Sequence, residues 1–255
     1  MLLPLLALAS ALALPQVTIS DAFGKNVGAF PVVDCTTGAR TESDPVACSE
    51  TAAPCSSFKI WNAAIGLETG VVTDPDALFW KWDGKKRFLE SWNTDQTLRS
   101  AMKASCVPAF QQMARDIGQP RMNKWIEKLG YGNRDTASGL DVFWLPAEGR
   151  RSILISANDQ AELIARLLTG HLPVSKRNRA ILRDILKVGE LPTGTLYGKT
   201  GTGTAPDGSD IGWFVGRLET RKNILAFACK LSGPDASGKT ARAAAEKILS
   251  SLPPR

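Results

Sequence analysis

The chain has 255 residues, of which 44% are hydrophobic and 22% are charged, and its formal net charge is +6. This length and composition predict a globular protein with a substantial core, and they exclude a disordered or fibrous chain. The basic residues are dispersed among acidic ones. That pattern argues against a nucleic-acid-binding surface but is compatible with a basic pocket for a small anion.

The N-terminal stretch from Met1 to Leu14 is almost wholly apolar and contains the small-x-small sequence Ala11-Leu12-Ala13. This pattern is typical of a secretory signal peptide, although no Lys or Arg precedes the apolar run. The run is too short for a comfortable membrane span. We therefore expect residues 1–13 to be cleaved and the mature protein to be periplasmic, without a membrane anchor. A buried N-terminal helix is the alternative.

Hydrophobic periodicity and turn residues predict the elements that follow. The early ones are a strand over residues 29–34, a helix from Ser56 to about Glu68, a loop-rich segment over 73–95 and a helix over about 94–105. Later helices are expected around 122–129, 158–168 and 175–188. Strands are predicted over 194–199, 212–219 and 224–231, before a closing helix over about 239–251.

Helices in the middle of the chain and strands late in it predict an α+β fold. We expect an antiparallel sheet flanked by terminal helices, with an inserted helical subdomain. The sheet part would cover about 14–55 and 190–255 and the insertion about 56–189, together forming one domain over 14–255. A cleft is expected at the junction of the two parts.

Ser56 and Lys59 are three positions apart, so that on a helix they lie on one face. A serine hydroxyl is a weak nucleophile until a base takes its proton. A lysine amine can be that base when burial keeps it neutral. The pattern alone is weak, because the chain contains a second copy, Ser100-Ala101-Met102-Lys103.

Three further motifs follow in order: Ser105-Cys106-Val107, Tyr131-Gly132-Asn133, and Lys199-Thr200-Gly201 with Thr202 directly after it. With Ser56-Ser57-Phe58-Lys59 they resemble the class D (oxacillinase-type) serine β-lactamases, a relative of the enzymes with Ser-x-x-Lys and Lys-Thr-Gly motifs. The segments 65–70, 92–98, 143–145 and 212–216 are also similar to class D enzymes. Two departures are Pro146, where many relatives have Glu, and Cys55 before the serine.

The resemblance implies hydrolysis of the β-lactam amide through a serine acyl-enzyme, and hence β-lactam antibiotic resistance. It implies that Ser56 is the nucleophile and that Lys59 is the general base, as an N-carboxylysine formed with CO2 or bicarbonate. Ser105 would relay a proton to the departing lactam nitrogen. Val107 would keep the pocket dry, and Trp144 would donate a hydrogen bond to the carbamate.

The same resemblance assigns substrate binding to the third motif and to the last helix. The substrate carboxylate would contact Lys199 and Thr200 of the Lys199-Thr200-Gly201 motif, with Arg242 as its bidentate partner. Backbone N–H groups of Ser56 and Thr202 would form the oxyanion hole. Two Ser-x-Asn sequences, at 91–93 and 156–158, are expected to be unrelated to the site.

The composition bears on cofactors and partners as well. One His and no Cys-x-x-Cys make a metal site improbable, so no cofactor beyond CO2 is expected. The expected partners are β-lactam small molecules, with no nucleic acid and no membrane, and the oligomeric state is open. Among the five cysteines, Cys35 and Cys48 could form one disulfide.

Three alternatives accompany this interpretation. A β-lactam sensor or penicillin-binding module would share the fold and stay acylated. Residues 233–240 match the phosphate-binding loop pattern between a predicted strand and helix, but the meander before them is not a nucleotide-binding βαβ fold. A Ser-His-Asp hydrolase would depend on His171 alone.

Overall fold

The computed structural model describes Leu14 and residues 16–252. The predicted signal peptide, residues 1–13, therefore lies outside the described residues. Within the described part, no helix is both long enough and apolar enough to cross a membrane.

Eleven strands are present in the described chain. They are β1 (Val27–Ala29), β2 (Val32–Asp34), β3 (Arg40–Thr41), β4 (Thr51–Ala52), β5 (Leu78–Trp80), β6 (Gln96–Thr97), β7 (Ile155–Ser156), β8 (Lys187–Leu191), β9 (Gly194–Thr204), β10 (Asp210–Glu219) and β11 (Ile224–Ser232). Seven of them form one antiparallel sheet in the order β3-β2-β11-β10-β9-β8, with β1 paired to β11. The pairs β4–β7 and β5–β6 lie apart from it.

Nine α-helices are present within residues 16–252. They are α1 (Gln16–Phe23), α2 (Pro45–Ser49), α3 (Lys59–Glu68), α4 (Leu98–Ala104), α5 (Val107–Ile117), α6 (Gln119–Leu129), α7 (Ala157–Thr169), α8 (Lys176–Ile185) and α9 (Gly238–Ser250). The terminal helices α1 and α9 pack together, and α9 packs on β9, β10 and β11. Helix α7 packs against β10 and β11. The predicted α+β class is confirmed.

The central strands β10 and β11 are almost continuously buried because helices cover both faces of the sheet. Alternate side chains point to opposite faces. Phe214 and Phe227 belong to the apolar cluster that includes α9, whereas Trp213 and Val215 belong to the larger cluster of the helical part. The Trp213 indole N–H donates to the Ala53 carbonyl at 2.8 Å, which ties the sheet to the segment before Ser56.

The structure differs from the predicted elements in several places. The predicted helix from Ser56 begins with a 3-10 turn over Cys55–Phe58 and becomes α-helical at Lys59. The helix predicted over 175–188 ends at Ile185, because residues 187–191 pair with β9 instead. The sequence analysis also missed α5, whose first turn contains Pro108. Proline fits the first turn of a helix, where its missing N–H has no partner to lose, so it marks a start here.

Candidate active site

Ser56 lies in the 3-10 turn that leads into α3, and buried hydrogen bonds hold this turn in place. Cys55, the residue before it, has a left-handed backbone with φ 52°. The Ser57 hydroxyl donates to the Pro54 carbonyl at 2.7 Å and accepts from the Gln160 amide of α7 at 2.9 Å. A non-glycine residue in the left-handed region costs free energy and persists only where its surroundings hold it. The turn is therefore a constrained support for the Ser56 hydroxyl.

Ser56, Lys59 and Ser105 meet at one point. The Lys59 amine lies 2.6 Å from the Ser56 hydroxyl oxygen and 3.2 Å from the Ser105 hydroxyl oxygen. Ser105 ends α4 with a left-handed backbone, φ 50°, which turns its side chain towards a residue 46 positions earlier. These distances are within the reach that proton transfer between a nucleophile and its base requires.

The environment of Lys59 favours a neutral amine. The residue is fully buried, and the Phe110 ring centroid lies 5.7 Å from its nitrogen. Burial lowers the pKa of Lys59 well below its ordinary value, and the positive charge of Lys199 lowers it further. A neutral amine can accept a proton from a neighbouring hydroxyl, and it can also add CO2.

Aromatic rings enclose the start of α3. Phe58 packs edge-on against Tyr131 and Phe143 and stacks on Trp144, with a centroid distance of 5.6 Å in the stacked pair. The Trp144 indole nitrogen is buried and has no hydrogen-bond partner among the described residues. Leaving a buried N–H without an acceptor lowers the stability of the folded state by about 1–3 kcal/mol. A ligand or modified group that accepts from this N–H would remove that cost.

Strand β9 approaches the Ser56 turn so closely that only glycine fits at position 201. A Cβ on Gly201 would lie 2.8 Å from the Pro54 carbonyl oxygen and 3.0 Å from the Ser57 nitrogen. Lys199 is 5% exposed, and burial lowers the pKa of its amine to about 8. Its nitrogen donates to the Thr200 carbonyl at 3.0 Å. A cation of low exposure thus lies close enough to Lys59 for its charge to lower the pKa of that amine.

The structure brings most of the predicted site residues to one region. Lys199, Thr200 and Arg242 line the same cavity on β9. The Thr202 hydroxyl accepts from the Gly238 N–H at 2.8 Å, which ties the first turn of α9 to β9. Val107 is half-buried at the start of α5, directly after Ser105-Cys106. The Arg242 guanidinium forms an ion pair with Glu246 at 2.7 Å.

The look-alike motifs have structural roles. Ser100, of the second Ser-x-x-Lys copy, forms a capping box with Thr97 at the start of α4. Ser156 caps α7 through Asp159, and Asn93 bonds the backbone at Arg87. These contacts account for each of these polar side chains outside the site.

The remaining alternatives find little support in the geometry. Gly238, in the phosphate-loop-like stretch, has its N–H engaged by Thr202, and Ser237 caps α9 through Thr240. His171 is exposed and contacts the Thr169 hydroxyl at 2.8 Å. Within Leu14 and residues 16–252, no three His, Cys, Asp or Glu side chains are grouped so as to hold a metal ion.

Two residues near the site were missed from the sequence. Phe110 contacts Lys59, and its signal was available because Val107 and Phe110 are three positions apart on one helix face. Gln160 supports the Ser56 turn through Ser57, and no local pattern marks it. Its partner lies 103 positions away in the chain.

Comparisons with known proteins point to one group of proteins. Residues 34–250 match the model of the penicillin binding protein transpeptidase domain. The chain is 37% identical to β-lactamase OXA-10 of Pseudomonas aeruginosa over 79% of this chain and 74% of that protein. The solved class D β-lactamase BAT-2 delta mutant is similar with a TM-score of 0.84 and 33% identity, over 95% of this chain and 99% of that one.

A further similarity concerns a regulatory protein. The chain is 32% identical to regulatory protein BlaR1 of Bacillus licheniformis, over 77% of this chain but only 32% of that protein.

Proposed function

The chain belongs to the class D β-lactamases and hydrolyses the β-lactam amide, and we propose that it does so through an acyl-enzyme on Ser56, with a carboxylated Lys59 as general base. One observation carries this assignment of roles. The Lys59 nitrogen lies 2.6 Å from the Ser56 hydroxyl oxygen and is fully buried. Burial selects the neutral, proton-accepting form of the amine.

Acylation begins when the Ser56 hydroxyl attacks the lactam carbonyl and gives its proton to the base at Lys59. The C–N bond of the ring then breaks, and the ring nitrogen takes a proton that Ser105 relays, since Ser105 is 3.2 Å from the Lys59 nitrogen. In deacylation the same base takes a proton from water, which attacks the Ser56 ester. Backbone N–H groups of Ser56 and Thr202 stabilise the oxyanion in both steps.

The carbamate on Lys59 fits two features of the site. Only a neutral amine adds CO2, and burial together with the charge of Lys199 lowers the pKa of Lys59. The buried indole N–H of Trp144, which stacks on Phe58, has no acceptor of its own. A carbamate oxygen would be a suitable acceptor for it. Val107 at the start of α5 helps to exclude water.

The substrate carboxylate binds to the cationic end of the site. Lys199 and Thr200 place a buried cation and a hydroxyl along β9, directly before Gly201, where this strand passes the Ser56 turn. Arg242 lines the same cavity and offers a guanidinium that can pair with a carboxylate in bidentate fashion. For that, Arg242 exchanges its exposed ion pair with Glu246 for one with the substrate.

Intact-mass spectrometry during turnover of benzylpenicillin tests the nucleophile. We expect an adduct of one penicillin mass that disappears as substrate is consumed, and its loss in Ser56→Ala. The Ser100→Ala variant is the matched control, because it removes the serine of the other Ser-x-x-Lys copy. A normal adduct in Ser56→Ala would contradict the assignment.

Removal of CO2 tests the base. We expect turnover to fall in degassed buffer and to return when bicarbonate is added. In Trp144→Phe, which retains an aromatic ring but lacks the N–H, more bicarbonate should be needed for half-maximal turnover. Bicarbonate-independent turnover by CO2-depleted enzyme would contradict a carbamate base.

The alternative is a binding module that stays acylated, and the similarity to BlaR1 motivates it. The same mass measurement separates the two functions. A stoichiometric adduct that persists after free penicillin is exhausted would indicate a sensor, whereas many turnovers per enzyme with a transient adduct indicate a hydrolase.

We also propose that the chain is exported to the periplasm. The apolar run from Met1 to Leu14 and the sequence Ala11-Leu12-Ala13 support this. We expect the purified periplasmic protein to begin at residue 14, which intact mass would establish. Retention of the uncleaved chain in the cytoplasm would contradict the proposal.

A further inference from the structure

Strand β9 borders a cavity of about 390 Å³ that is rich in basic side chains. Five cations line it: Arg99, Lys103, Lys187, Lys199 and Arg242. Among its lining residues in the described chain, Asp184 is the only acid. We call this space the basic cavity. Lys199 and Thr200 contribute to it, so it continues the end of the active site that holds the substrate carboxylate.

The charges of the basic cavity are unevenly compensated. Three of the five cations form ion pairs with carboxylates: Arg99 with Asp76 and Asp184, Lys187 with Glu190, and Arg242 with Glu246. Under the proposed function, Lys199 binds the substrate carboxylate. Lys103, an exposed residue in the last turn of α4, has no ion-pair partner among the residues described.

This leaves a positive charge available beside the carboxylate subsite. Lys103 is two positions before Ser105, so its stem starts next to the catalytic cluster. The exposed ion pair of Lys187 with Glu190 is individually weak, so this side chain can turn towards a second anion, whereas Arg242 pairs with the substrate carboxylate. Opposite charges within such a space attract, the more so at low ionic strength.

We propose that the basic cavity binds a second negative charge of the substrate, so that the enzyme favours cephalosporins with an anionic side chain on C3. In a cephalosporin, C3 is bonded to C4, which carries the carboxylate. A group on C3 therefore leaves the ring beside the carboxylate that Lys199 and Thr200 bind, and the basic cavity lies there. Lys103 is the specificity-determining residue. This inference rests on the proposed β-lactamase function.

A pair of matched cephalosporins tests it. Cefamandole and cefonicid share the mandelamido side chain and the tetrazolylthiomethyl group on C3, and cefonicid carries an added sulfonate on the tetrazole. We would measure kcat/KM for both, together with their inhibition of benzylpenicillin hydrolysis, in the wild type, Lys103→Gln and Lys124→Gln. Lys124 is an exposed lysine of α6 outside the cavity, so its variant makes the same charge change elsewhere.

We expect the wild type to favour cefonicid over cefamandole by about two- to fivefold, which is what one partly exposed ion pair supplies. Lys103→Gln should bring that ratio towards one, and Lys124→Gln should leave the ratio unchanged. Added salt should reduce the wild-type preference. The inhibition constants of cefonicid and cefamandole against benzylpenicillin hydrolysis should show the same preference. They measure binding even when a cephalosporin is turned over too slowly for kcat/KM to be determined.

A ratio of one in the wild type, or a preference for cefonicid that survives in Lys103→Gln, would overturn the inference. Loss of preference in both lysine variants would do so as well, because net charge and not the cavity would then be responsible. Benzylpenicillin separates this failure from failure of the proposed function. If the enzyme does not turn over benzylpenicillin at all, the proposed hydrolase function is contradicted. If it turns over benzylpenicillin normally, only the inference about the basic cavity is contradicted.

Discussion

At the residue scale, Lys59 shows how one side chain serves chemistry at the expense of stability. Burial lowers the pKa of Lys59 well below its ordinary value of 10.5. In the unfolded chain the same amine is protonated at neutral pH. The unfolded state thus binds more protons, and the free energy of unfolding gains a contribution that rises with pH up to the unfolded pKa. Below the folded pKa, folding buries a full charge and this destabilisation is greatest.

Lys59→Met is therefore expected to separate activity from stability. Methionine keeps an unbranched apolar stem, one atom shorter than that of lysine, and has no titrating amine, so turnover of penicillin should fall by about 10²–10⁴-fold. The Tm at neutral pH should rise, because no amine has to be desolvated on folding. Steady-state kinetics and calorimetry measure the two effects. A Tm that falls by several degrees would show that Lys59 contributes to stability in its own right.

Ser105 combines a functional hydroxyl with an unfavourable backbone. Its φ of 50° lies in the left-handed region, which costs a non-glycine residue about 1–2 kcal/mol. Ser105→Ala and Ser105→Gly both remove the hydroxyl near Lys59, and only glycine relieves the backbone. We expect turnover to fall by about 10²-fold or more in both variants. Ser105→Gly should be more stable than Ser105→Ala by about 1 kcal/mol in urea unfolding.

The two variants control for each other, because both lack the hydroxyl and they differ only in the residue that must adopt the left-handed backbone. Equal stability would mean that the left-handed backbone at position 105 costs nothing. Wild-type turnover in either variant would remove Ser105 from the proton path, since its contact with the Lys59 nitrogen at 3.2 Å would then be incidental.

At the element scale, the site depends on how β9 passes the Ser56 turn. A methyl group on Gly201 would lie 2.8 Å from the Pro54 carbonyl oxygen, and backbone atoms on both sides resist displacement. We expect Gly201→Ala to push the turn away from β9 and to lower kcat/KM for penicillin by about 10²-fold, since small displacements of a nucleophile have large effects. The Tm should also fall.

Thr204→Ala is the matched control on the same strand, because Thr204 is exposed and lies at the end of β9. It should retain nearly full activity and stability. If Gly201→Ala behaves like this control, the close approach of β9 to the turn has no catalytic consequence.

Some elements could be predicted from the sequence because their signals are local. Ser56 and Lys59 are three positions apart, and the 3-10 turn that leads into α3 brings the Ser56 hydroxyl oxygen and the Lys59 nitrogen within 2.6 Å. Strands β10 and β11 were also predicted, because their apolar runs are bounded by turn residues, but β9 was predicted only over 194–199 and continues to Thr204. Strand β8 was not, since residues 187–191 carry no strand pattern of their own and are ordered by pairing with β9.

The rest of the site depends on contacts between distant parts of the chain. Ser105 and Lys199 join Lys59 through the fold, and a family resemblance, not spacing, pointed to them. The hydrogen bond from Gln160 to Ser57 joins residues 103 positions apart, so no pattern in the sequence marks Gln160. Long-range polar contacts of this kind become visible only when the elements are packed.

At the scale of the whole molecule, the state of the cysteines shows whether disulfides contribute to the stability of the fold. All five are free thiols, and Cys48, Cys55, Cys106 and Cys229 are fully buried. Burial raises the pKa of Cys55 to about 12 and that of Cys35 to about 11, so neither forms the reactive thiolate at neutral pH. The core, not a disulfide, therefore stabilises the described part of the chain.

Thiol counting tests this account, including the Cys35–Cys48 disulfide that the sequence left open. With an aromatic disulfide reagent at neutral pH, we expect at most one thiol to react in the folded protein, Cys35, because it alone is partly exposed. All five should react at once in denaturant without prior reduction. Cys229 lies in the apolar cluster that includes α9 and the other three buried thiols lie in the larger cluster, so we expect all four to react together only on global unfolding. A count of three in denaturant would mean that two cysteines are paired, and a reductant should then lower the Tm; with five free thiols it should leave the Tm unchanged.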